Sequence, residues 1–445
     1  MLGFFFPTLP LDTWEKAWTE SRMQWLASQF GIDRLLDAPV LLPTDSVFPS
    51  TFTGTSDEAR QVMDSLGERM RVDTSKLRLE VCADEQLPNA VGHDDDCGER
   101  RVIRLSESQL HDPEAMVATL AHELSHELLL GGGLLTKETV DHEWITDLLP
   151  VFLGVGLFGA NATVREHTAR AGHFYGSSMG SQGYLRSTIL GYALALFTWV
   201  RDDPNPTWAK YLRLDAASGL RSGIRYLRRT NDSLFQLSTV QHSRDAFSIN
   251  ELIRDLAAKR PTRRIAALWE LAKRGDEAAS AAELIVPCLR DRDRGVRYEA
   301  ANTFAAIGPA AEPYAARLCT ALRDPDSHVR RCAASTLGLL ATSPETVVPE
   351  LAELLADDVP DVVSHASAAL AQFKEFAAPA IPELLQALRL ACIKCRHDNA
   401  TVLVWALDQI SSEADSHISE FFPSSETEFA EYALELLSEC RSTET

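Results

Sequence analysis

A spacing of 33 residues recurs through the second half of the chain and constrains its fold more than any other feature. Leucine stands at the same place in four successive units, at Leu289, Leu322, Leu355 and Leu388. Five further columns keep this register: Asp291, Asp324 and Asp357; Val296, Val329 and Val362; Ala300, Ala333 and Ala366; Phe304, Leu337 and Leu370; Ile307, Leu340 and Phe373. Such a period is typical of a solenoid, in which each helix pair buries its apolar face only against its neighbours.

The repeats resemble the HEAT family. The segments DRGVR (293–297) and DSHVR (326–330) carry the Asp-x-x-Val-Arg signature with which a turn enters a helix in that family. The Thr-Pro-Leu-His of ankyrin repeats and the Trp/Gly/Tyr pattern of tetratricopeptide repeats are absent. We therefore expect an all-α HEAT-like helical repeat domain over residues 250–445, with a degenerate first unit and an irregular cap. Its extended surface is expected to bind a protein partner: a substrate, a regulator or a second copy of the chain.

Residues 1–245 follow no such period and are expected to form a separate domain. Apolar spacing predicts helices over 12–36 and 56–70, and strands are predicted at 77–82 and 99–105. A polar turn around 93–97 is expected between the two strands. Helical periodicity returns from about residue 113.

One short motif in the first half points to chemistry. In TLAHELSHELLLGGG (119–133), His122 and His126 are four residues apart and share one face of a helix. Two imidazoles placed in this way bind one Zn²⁺, and Glu123 beside the first ligand can take a proton from water. A catalytic zinc site needs a third protein ligand. Candidates lie in DHEWITDLLPVFLG (141–154), where Glu143 and Asp147 share a helix face.

Other interpretations of these residues stay open. His142, directly beside Glu143, is a rival third ligand, and Asp141 or Asp147 is a rival carboxylate ligand of the aspzincin kind. A structural helix with ordinary half-buried histidines, followed by a solvated acid pair, needs no metal at all. Against that interpretation, the flanking segments VATLAH and DLLPVFLG are apolar. Charged groups in such surroundings are costly unless they are paired or metal-bound.

The two segments together resemble the gluzincin metallopeptidases, the thermolysin-like clan. HELSH followed by HEWITD matches the HExxH…ExxxD pattern, and RVIRL (101–105) matches the edge strand that lies over the substrate in those enzymes. The resemblance implies an α+β zincin-like metallopeptidase domain. It also implies that zinc is bound by His122, His126 and Glu143. Glu123 is then the general base and acid, and Asp147 orients His122 from behind the ligand. The short, Gly-rich connection from His126 to Glu143 is a departure from the family pattern.

Peptide hydrolysis also needs a donor for the oxyanion of the tetrahedral intermediate. In the segment from residue 165 to residue 195, four residues are candidates for this donor: His167, His173, Tyr184 and Tyr192. We favour Tyr184 and His173 as further catalytic residues. A flexible loop and core aromatics would account for the same four residues without a catalytic role.

Composition limits the partners and the compartment. A formal net charge of −21 argues against nucleic-acid binding, because phosphates are repelled. The basic clusters KRPTRR (259–264) and DRDRGVR (291–297) are interleaved with acids and are expected to be solvated faces. Eight scattered cysteines form no disulfide framework, which suits a cytoplasmic protein. The apolar runs 148–160 and 188–200 are shorter than the roughly 20 residues that span a bilayer, so no membrane span is expected.

These observations predict a zinc-dependent metalloendopeptidase of gluzincin type, acting on a protein or peptide substrate, with a HEAT-like solenoid for substrate or partner binding. The alternative is a catalytically inactive zincin-like scaffold or adaptor that acts through protein–protein binding. Glu123 favours the enzyme, because an inactive descendant could lose its base freely. The sequence defines no specificity pocket.

Overall fold

The chain divides into two compact units, Met1–Ala246 and Phe247–Thr445. The structure, a computed structural model, describes residue 9 and residues 11–44, 52–84, 101–162, 165–171, 174–180, 184–236 and 247–443. Within 165–171 and 174–180 it describes the backbone alone.

The first unit is mostly helical. Its helices are α1 Thr13–Phe30, α2 Ile32–Leu36, α3 Ser56–Met70, α4 Glu107–Leu110, α5 Pro113–His126, α6 His142–Phe152, α7 Gly156–Ala162, α8 Ser187–Val200 and α9 Leu214–Thr230. Short 3₁₀ turns span Thr74–Lys76 and Thr207–Tyr211, and a π turn spans Glu127–Gly131. The single helix predicted over 12–36 is interrupted at Gly31. Its φ of 86° lies in the left-handed region that glycine adopts without strain.

Four short strands accompany these helices in the described part of the first unit: β1 Leu77–Cys82, β2 Arg101–Ser106, β3 Arg165–Ala171 and β4 Phe174–Gly180. β1 pairs with β2 in parallel, and β3 pairs with β4 in antiparallel fashion. Both strands predicted from the sequence are present. A tight turn cannot join parallel strands, which need a crossover connection. The polar turn expected at 93–97 lies outside the described residues.

The α+β zincin-like class expected for this unit is not supported. The described strands make two separate two-stranded pairs, and the core forms between helices. α8 is buried on almost every side and packs against α9, while α5 packs against α6 and α7. In this pair Leu77 is the buried residue of β1, while β2 buries Val102, Ile103 and Leu105. Most of the described core of the unit nevertheless lies between helices.

The described part of the second unit consists of helices and turns. Its α-helices are α10 Ile249–Leu256, α11 Pro261–Lys273, α12 Ala282–Ile285, α13 Arg294–Ile307, α14 Ala315–Leu318, α15 Ser327–Leu340, α16 Pro344–Leu354, α17 Pro360–Gln372, α18 Ile381–Ile393, α19 His397–Ile410, α20 Ala414–Phe421 and α21 Thr427–Thr443. Its 3₁₀ segments are Gly275–Ala281, Val286–Arg290, Gly308–Tyr314, Cys319–Arg323, Lys374–Ala380 and Ser424–Glu426. α11, α13, α15, α17 and α19 pack in sequence, each against the next. The valine column of the repeat is almost fully buried, as a solenoid core requires: Val296, Val329 and Val362.

An ion-pair ladder links successive repeats. Its rungs join Arg264 to Asp291 at 2.9 Å, Arg297 to Asp324 at 2.6 Å and Arg330 to Asp357 at 2.7 Å. Each aspartate also accepts the backbone N–H two residues further on. The side chains of Arg264 and Arg297 are only 15% and 13% exposed. The clusters at 259–264 and 291–297 are therefore not simply the solvated faces that we expected.

One helical stretch in the described residues, Lys374–Ile393, is long and apolar enough to cross a bilayer, with a mean hydropathy of 1.3. It belongs to the repeat array, where Leu384 and Leu388 are fully buried. Core helices of soluble proteins have the same length and composition.

Candidate metal centre

Helix α5 carries the two histidines of the motif. Asp112 caps its first turn by accepting the N–H of Ala115 at 3.1 Å, and Pro113 occupies the first helical position. Apolar residues of the helix are buried against the rest of the unit. His122 and His126 point instead toward the first turns of α6, where their partners lie.

A π turn and three glycines end this helix and return the chain toward α6. The π turn begins directly after His126. A side chain at Gly132 would place its Cβ 2.3 Å from the carbonyl oxygen of Leu128, so glycine alone fits there. Gly133 follows with a φ of 69°, which glycine also favours. A π turn widens its helix locally, and π turns within helices are frequent at functional sites.

Three ligand atoms converge between α5 and α6. The Nε2 atoms of His122 and His126 lie 3.3 Å and 3.4 Å from Oε2 of Glu143. His122, His126 and Glu143 are the group among the described residues whose ligand atoms all lie within 4.8 Å of one another. Two ligands of a tetrahedral zinc with bonds of about 2.0–2.1 Å are roughly 3.3 Å apart. The spacing therefore fits one zinc ion.

The bonding of these atoms also favours a cation. Oε2 of Glu143 is buried and accepts no hydrogen bond from the described residues. Nδ1 of His122 lies 2.8 Å from Oδ1 of Asp147, so Nδ1 carries a proton and Nε2 is the nitrogen that faces Glu143. Lone pairs that face one another at this distance repel unless a proton or a metal ion lies between them. The residues present thus fit a zinc ion.

Asp147 uses its two oxygens for different partners. Oδ1 bonds to His122, and Oδ2 accepts the backbone N–H groups of Tyr184 and Leu185 at 2.6 Å and 2.9 Å. Its carboxylate is therefore fixed from both sides and cannot turn toward the other ligand atoms without losing these bonds. This geometry is compatible with the orienting role that the gluzincin resemblance implies for Asp147.

The electrostatics of the centre favour positive charge. Burial alone would lower the pKa of His122, but Asp147 and Glu143 outweigh it and raise the pKa to about 10. Burial would raise the pKa of Glu143, but the imidazoles of His122 and His126 hold it well below its usual range. Burial also raises the pKa of Tyr184, and the carboxylates of Glu143 and Asp147 raise it further. The Tyr184 hydroxyl is therefore protonated at neutral pH.

The rival ligands proposed from the sequence have other partners. Oδ2 of Asp141 accepts hydrogen bonds from Trp18 and Arg22, which turn it toward α1. His142 lies beside the centre: its Nε2 is 3.2 Å from Oε1 of Glu143. Its Nδ1 lies 2.8 Å from the carbonyl oxygen of Thr139. His142 therefore contacts the oxygen of Glu143 that faces away from the other two histidines.

The structure brings one of the two favoured donors to the centre. The ring of Tyr184 stacks on that of His122, with centroids 6.0 Å apart and planes 19° from parallel, and 57% of the residue is exposed. Glu123, the residue after His122 on α5, is buried. Tyr192 is fully buried elsewhere and donates to Glu20. His173 lies outside the described residues, as does the side chain of His167.

Two interactions near the candidate centre were not predicted from the sequence. Trp18 and Arg22 lie about 120 residues before their partner Asp141, and no local pattern connects them. Arg101 forms an ion pair with Glu127 at 2.9 Å and so ties the start of β2 to the π turn. The available signal for the Arg101–Glu127 pair was Glu127 itself, a charged residue directly after the apolar helix α5.

Comparison with known proteins identifies the repeats. The chain matches the family described as HEAT repeats over residues 282–372 and 315–392. Residues 282–392 are HEAT repeats. The HEAT-like repeats predicted from the sequence are thereby confirmed over these residues. No curated protein matches the chain.

Three solved structures illustrate the similarity. An engineered protein is 21% identical, with 44% of this chain and 96% of that chain covered and a TM-score of 0.31. A designed armadillo repeat protein in complex with the peptide (KR)4 is 19% identical. The match covers 43% of this chain and 100% of that chain, with a TM-score of 0.33. The karyopherin Kap121p bound to the SUMO protease Ulp1p is 15% identical. The match covers 74% of this chain and 35% of that chain, with a TM-score of 0.33.

Proposed function

We propose that the protein is a zinc-dependent metallopeptidase of gluzincin type whose HEAT-repeat solenoid binds a protein substrate or a regulator. The observation that carries the proposal is the convergence of two imidazole nitrogens, from His122 and His126, on one buried and otherwise unbonded oxygen of Glu143. The carboxylate of Asp147 behind His122 supports it, since ligand histidines commonly donate their second N–H to such a group.

The chain's own residues supply the remaining steps. Zn²⁺ held by His122, His126 and Glu143 would lower the pKa of water and polarise the scissile carbonyl. Glu123 accepts the proton of the attacking water and passes it to the leaving amine. Asp147 holds the Nδ1 proton of His122, which keeps Nε2 free for the metal. Tyr184, protonated at neutral pH, donates a hydrogen bond to the developing oxyanion.

The solenoid contributes binding. Stacked repeats make an extended surface, and proteins of this architecture use it to hold partners. We extend this to the present chain and propose a protein partner on the surface of residues 247–443. Among the described residues seven cysteines are free thiols, which supports a reducing, cytoplasmic compartment.

Replacing Glu123 with Gln tests the catalytic proposal. The variant should bind zinc as the wild type does, because Glu123 is not among the three converging ligands. Its rate of hydrolysis of a denatured, fluorescently labelled protein should fall about 10²- to 10⁴-fold, the usual contribution of a general base. Zinc content is measured by mass spectrometry on the same samples.

Glu114→Gln serves as the matched control, because Glu114 lies in the first turn of the same helix. It should retain both zinc and activity. Equal activity of wild type and Glu123→Gln would remove Glu123 from the mechanism. A wild type that holds zinc but hydrolyses neither denatured proteins nor short peptides would overturn the peptidase proposal.

The second candidate is an inactive scaffold that works through protein–protein binding. The family match covers the repeats, and this favours partner binding over hydrolysis as the function that comparison supports. In that case, the metal centre stabilises the first unit and does no chemistry. The zinc-loaded wild type without hydrolytic activity, described above, is the outcome that would select this candidate.

A further inference from the structure

Asp141 stands directly before the helix that carries the third ligand, yet it does not cap that helix. It occupies the N-cap position of α6, where an aspartate side chain usually accepts a backbone N–H of the first turn. Its side chain makes no such bond. Oδ2 instead accepts Nε1–H of Trp18 at 2.8 Å and Nε–H of Arg22 at 2.7 Å. Both donors belong to α1, more than one hundred residues away in sequence.

Aromatic packing holds the same turn from a second direction. The ring of Trp144 packs edge-to-face against Trp18 at 5.4 Å and against Trp14 at 5.9 Å, with both interplanar angles at 84°. Such pairs contribute about 0.5–1.5 kcal/mol beyond the area they bury. Glu143 lies between Asp141 and Trp144 in the chain, so α1 holds the residues on both sides of the ligand.

The chain that enters α6 is mostly exposed and is held by local turn bonds, from Thr139 N–H to the carbonyl oxygen of Thr136 and from His142 N–H to that of Thr139. Gly132 and Gly133 are exposed, and Val140, the residue before Asp141, is fully exposed at 102%. Glu143 also belongs to the first turn of its helix, where backbone position follows the position of the N-cap. His122 and His126 need no such restraint, because they lie within and at the end of α5, a helix with a buried apolar side.

We propose that Asp141 is a positioning residue for the metal centre: clamped by Trp18 and Arg22, it fixes the start of α6 and so sets Glu143 against the two histidines. The inference rests on the proposed zinc site and adds to it a structural role for the N-terminal helix α1. Asp141 itself touches neither metal nor substrate.

The affinity for Zn²⁺ alone, measured on the full chain by competition with a chromophoric chelator, tests this role. Asp141→Asn removes the negative charge that pairs with Arg22, and only one end of its amide can accept the two donors. We expect its zinc affinity to fall about tenfold or more, the range found when groups that orient ligands are removed. Trp18→Phe removes one donor and keeps an aromatic ring against Trp144, so it should lose less affinity.

Asp64→Asn is the matched control. Asp64 accepts hydrogen bonds from Arg60 and Thr74 in the same unit and makes no contact with the centre. It should lower the thermal unfolding temperature measured in the presence of a chelator, yet leave zinc affinity unchanged. Loss of affinity in Asp141→Asn beyond that of Asp64→Asn supports the proposal.

Three outcomes would overturn it. The first is an Asp141→Asn variant that binds zinc as tightly as the wild type. The second is equal weakening in Asp141→Asn and Asp64→Asn, which would reduce the effect to general loss of stability. Should Asp141→Asn fail to fold, unchanged affinity in Trp18→Phe is the third. A wild type that binds no zinc would contradict the proposed function itself. Failure of the zinc site is thereby distinguished from failure of the positioning role of Asp141.

Discussion

At the scale of single residues, Asp147 is held by three hydrogen bonds in the candidate metal centre. It joins three elements, because α6 carries it, α5 presents His122 to it, and the segment before α8 supplies two backbone N–H groups. A carboxylate serves all three bonds, since each of its oxygens accepts. An amide of the same shape has one accepting and one donating end. The charge of Asp147 also contributes to the raised pKa of His122.

Replacing Asp147 with Asn should therefore weaken zinc binding about 10- to 100-fold. The amide either loses the bond to His122 or turns its NH₂ group toward the N–H groups of Tyr184 and Leu185. Burial of His122 opposes its protonation, and without the carboxylate its pKa should fall from about 10 toward the ordinary 6.5. Chelator competition gives the affinity, and a nuclear magnetic resonance titration in the presence of chelator gives the pKa.

The same Asp64→Asn variant is the control for this measurement. It should leave both the zinc affinity and the titration of His122 unchanged. An Asp147→Asn variant with wild-type zinc affinity would mean that the hydrogen bond to His122 does not orient the ligand.

The pairing of the candidate ligand residues could be predicted from the sequence because each pair has a local spacing. Residues at i and i+4 share a helix face, so His122 with His126 and Glu143 with Asp147 are each paired by helical geometry alone. The clamp on Asp141 could not be predicted, since Trp18 and Arg22 meet it through tertiary packing. The position of Tyr184 follows from bonds of its backbone N–H to Asp147, which no side-chain pattern encodes.

At the scale of elements, close helix contact shapes the first unit. α8 and α9 cross where Gly191 meets Gly219. A Cβ added at Gly191 would lie 2.5 Å from the carbonyl oxygen of Ala216 and 3.0 Å from Cα of Gly219. These distances are shorter than any normal carbon contact, so the two backbones can approach this closely only with glycine at the crossing.

Gly191→Ala should therefore destabilise the protein by about 1–3 kcal/mol, the usual cost of overpacking a core. Gly159→Ala is the comparison, since a Cβ at Gly159 in α7 meets no atom within 4 Å. That change should instead stabilise by up to about 1 kcal/mol, because alanine is the better helix former. The midpoints of urea unfolding give both values. Equal effects of the two substitutions would contradict the packing argument.

The positions of helices and strands along the chain were predicted better than the way in which they pair in space. The helix Ser56–Met70 and the strand Leu77–Cys82 lie where the sequence predicts them, because both depend on local periodicity. The parallel pairing of β1 with β2 depends on a connection whose path local pattern does not reveal. Arg264 is a missed signal of another kind: it stands 33 residues before Arg297 and already marks the first rung of the ladder.

At the scale of the whole molecule, each unit closes its own core. In the first unit, buried Glu20 of α1 accepts the backbone N–H of Leu234 at 2.9 Å and the hydroxyl of Tyr192 at 2.5 Å. These bonds tie the end of the unit to its beginning. In the second unit, each repeat packs on its neighbour and is joined to it by a rung of the arginine–aspartate ladder.

We therefore expect the chain to be divisible after Ala246. The fragment 1–246 contains every proposed zinc ligand, Asp147 and the α1 clamp, so it should bind zinc with the affinity of the full chain. The fragment 247–445 should unfold as a cooperative helical array, because solenoid repeats draw their stability from nearest neighbours. Differential scanning calorimetry of the full chain and both fragments, together with chelator competition on 1–246, measures these properties. A fragment 1–246 that folds but binds zinc ten times more weakly than the full chain would contradict this independence of the two units.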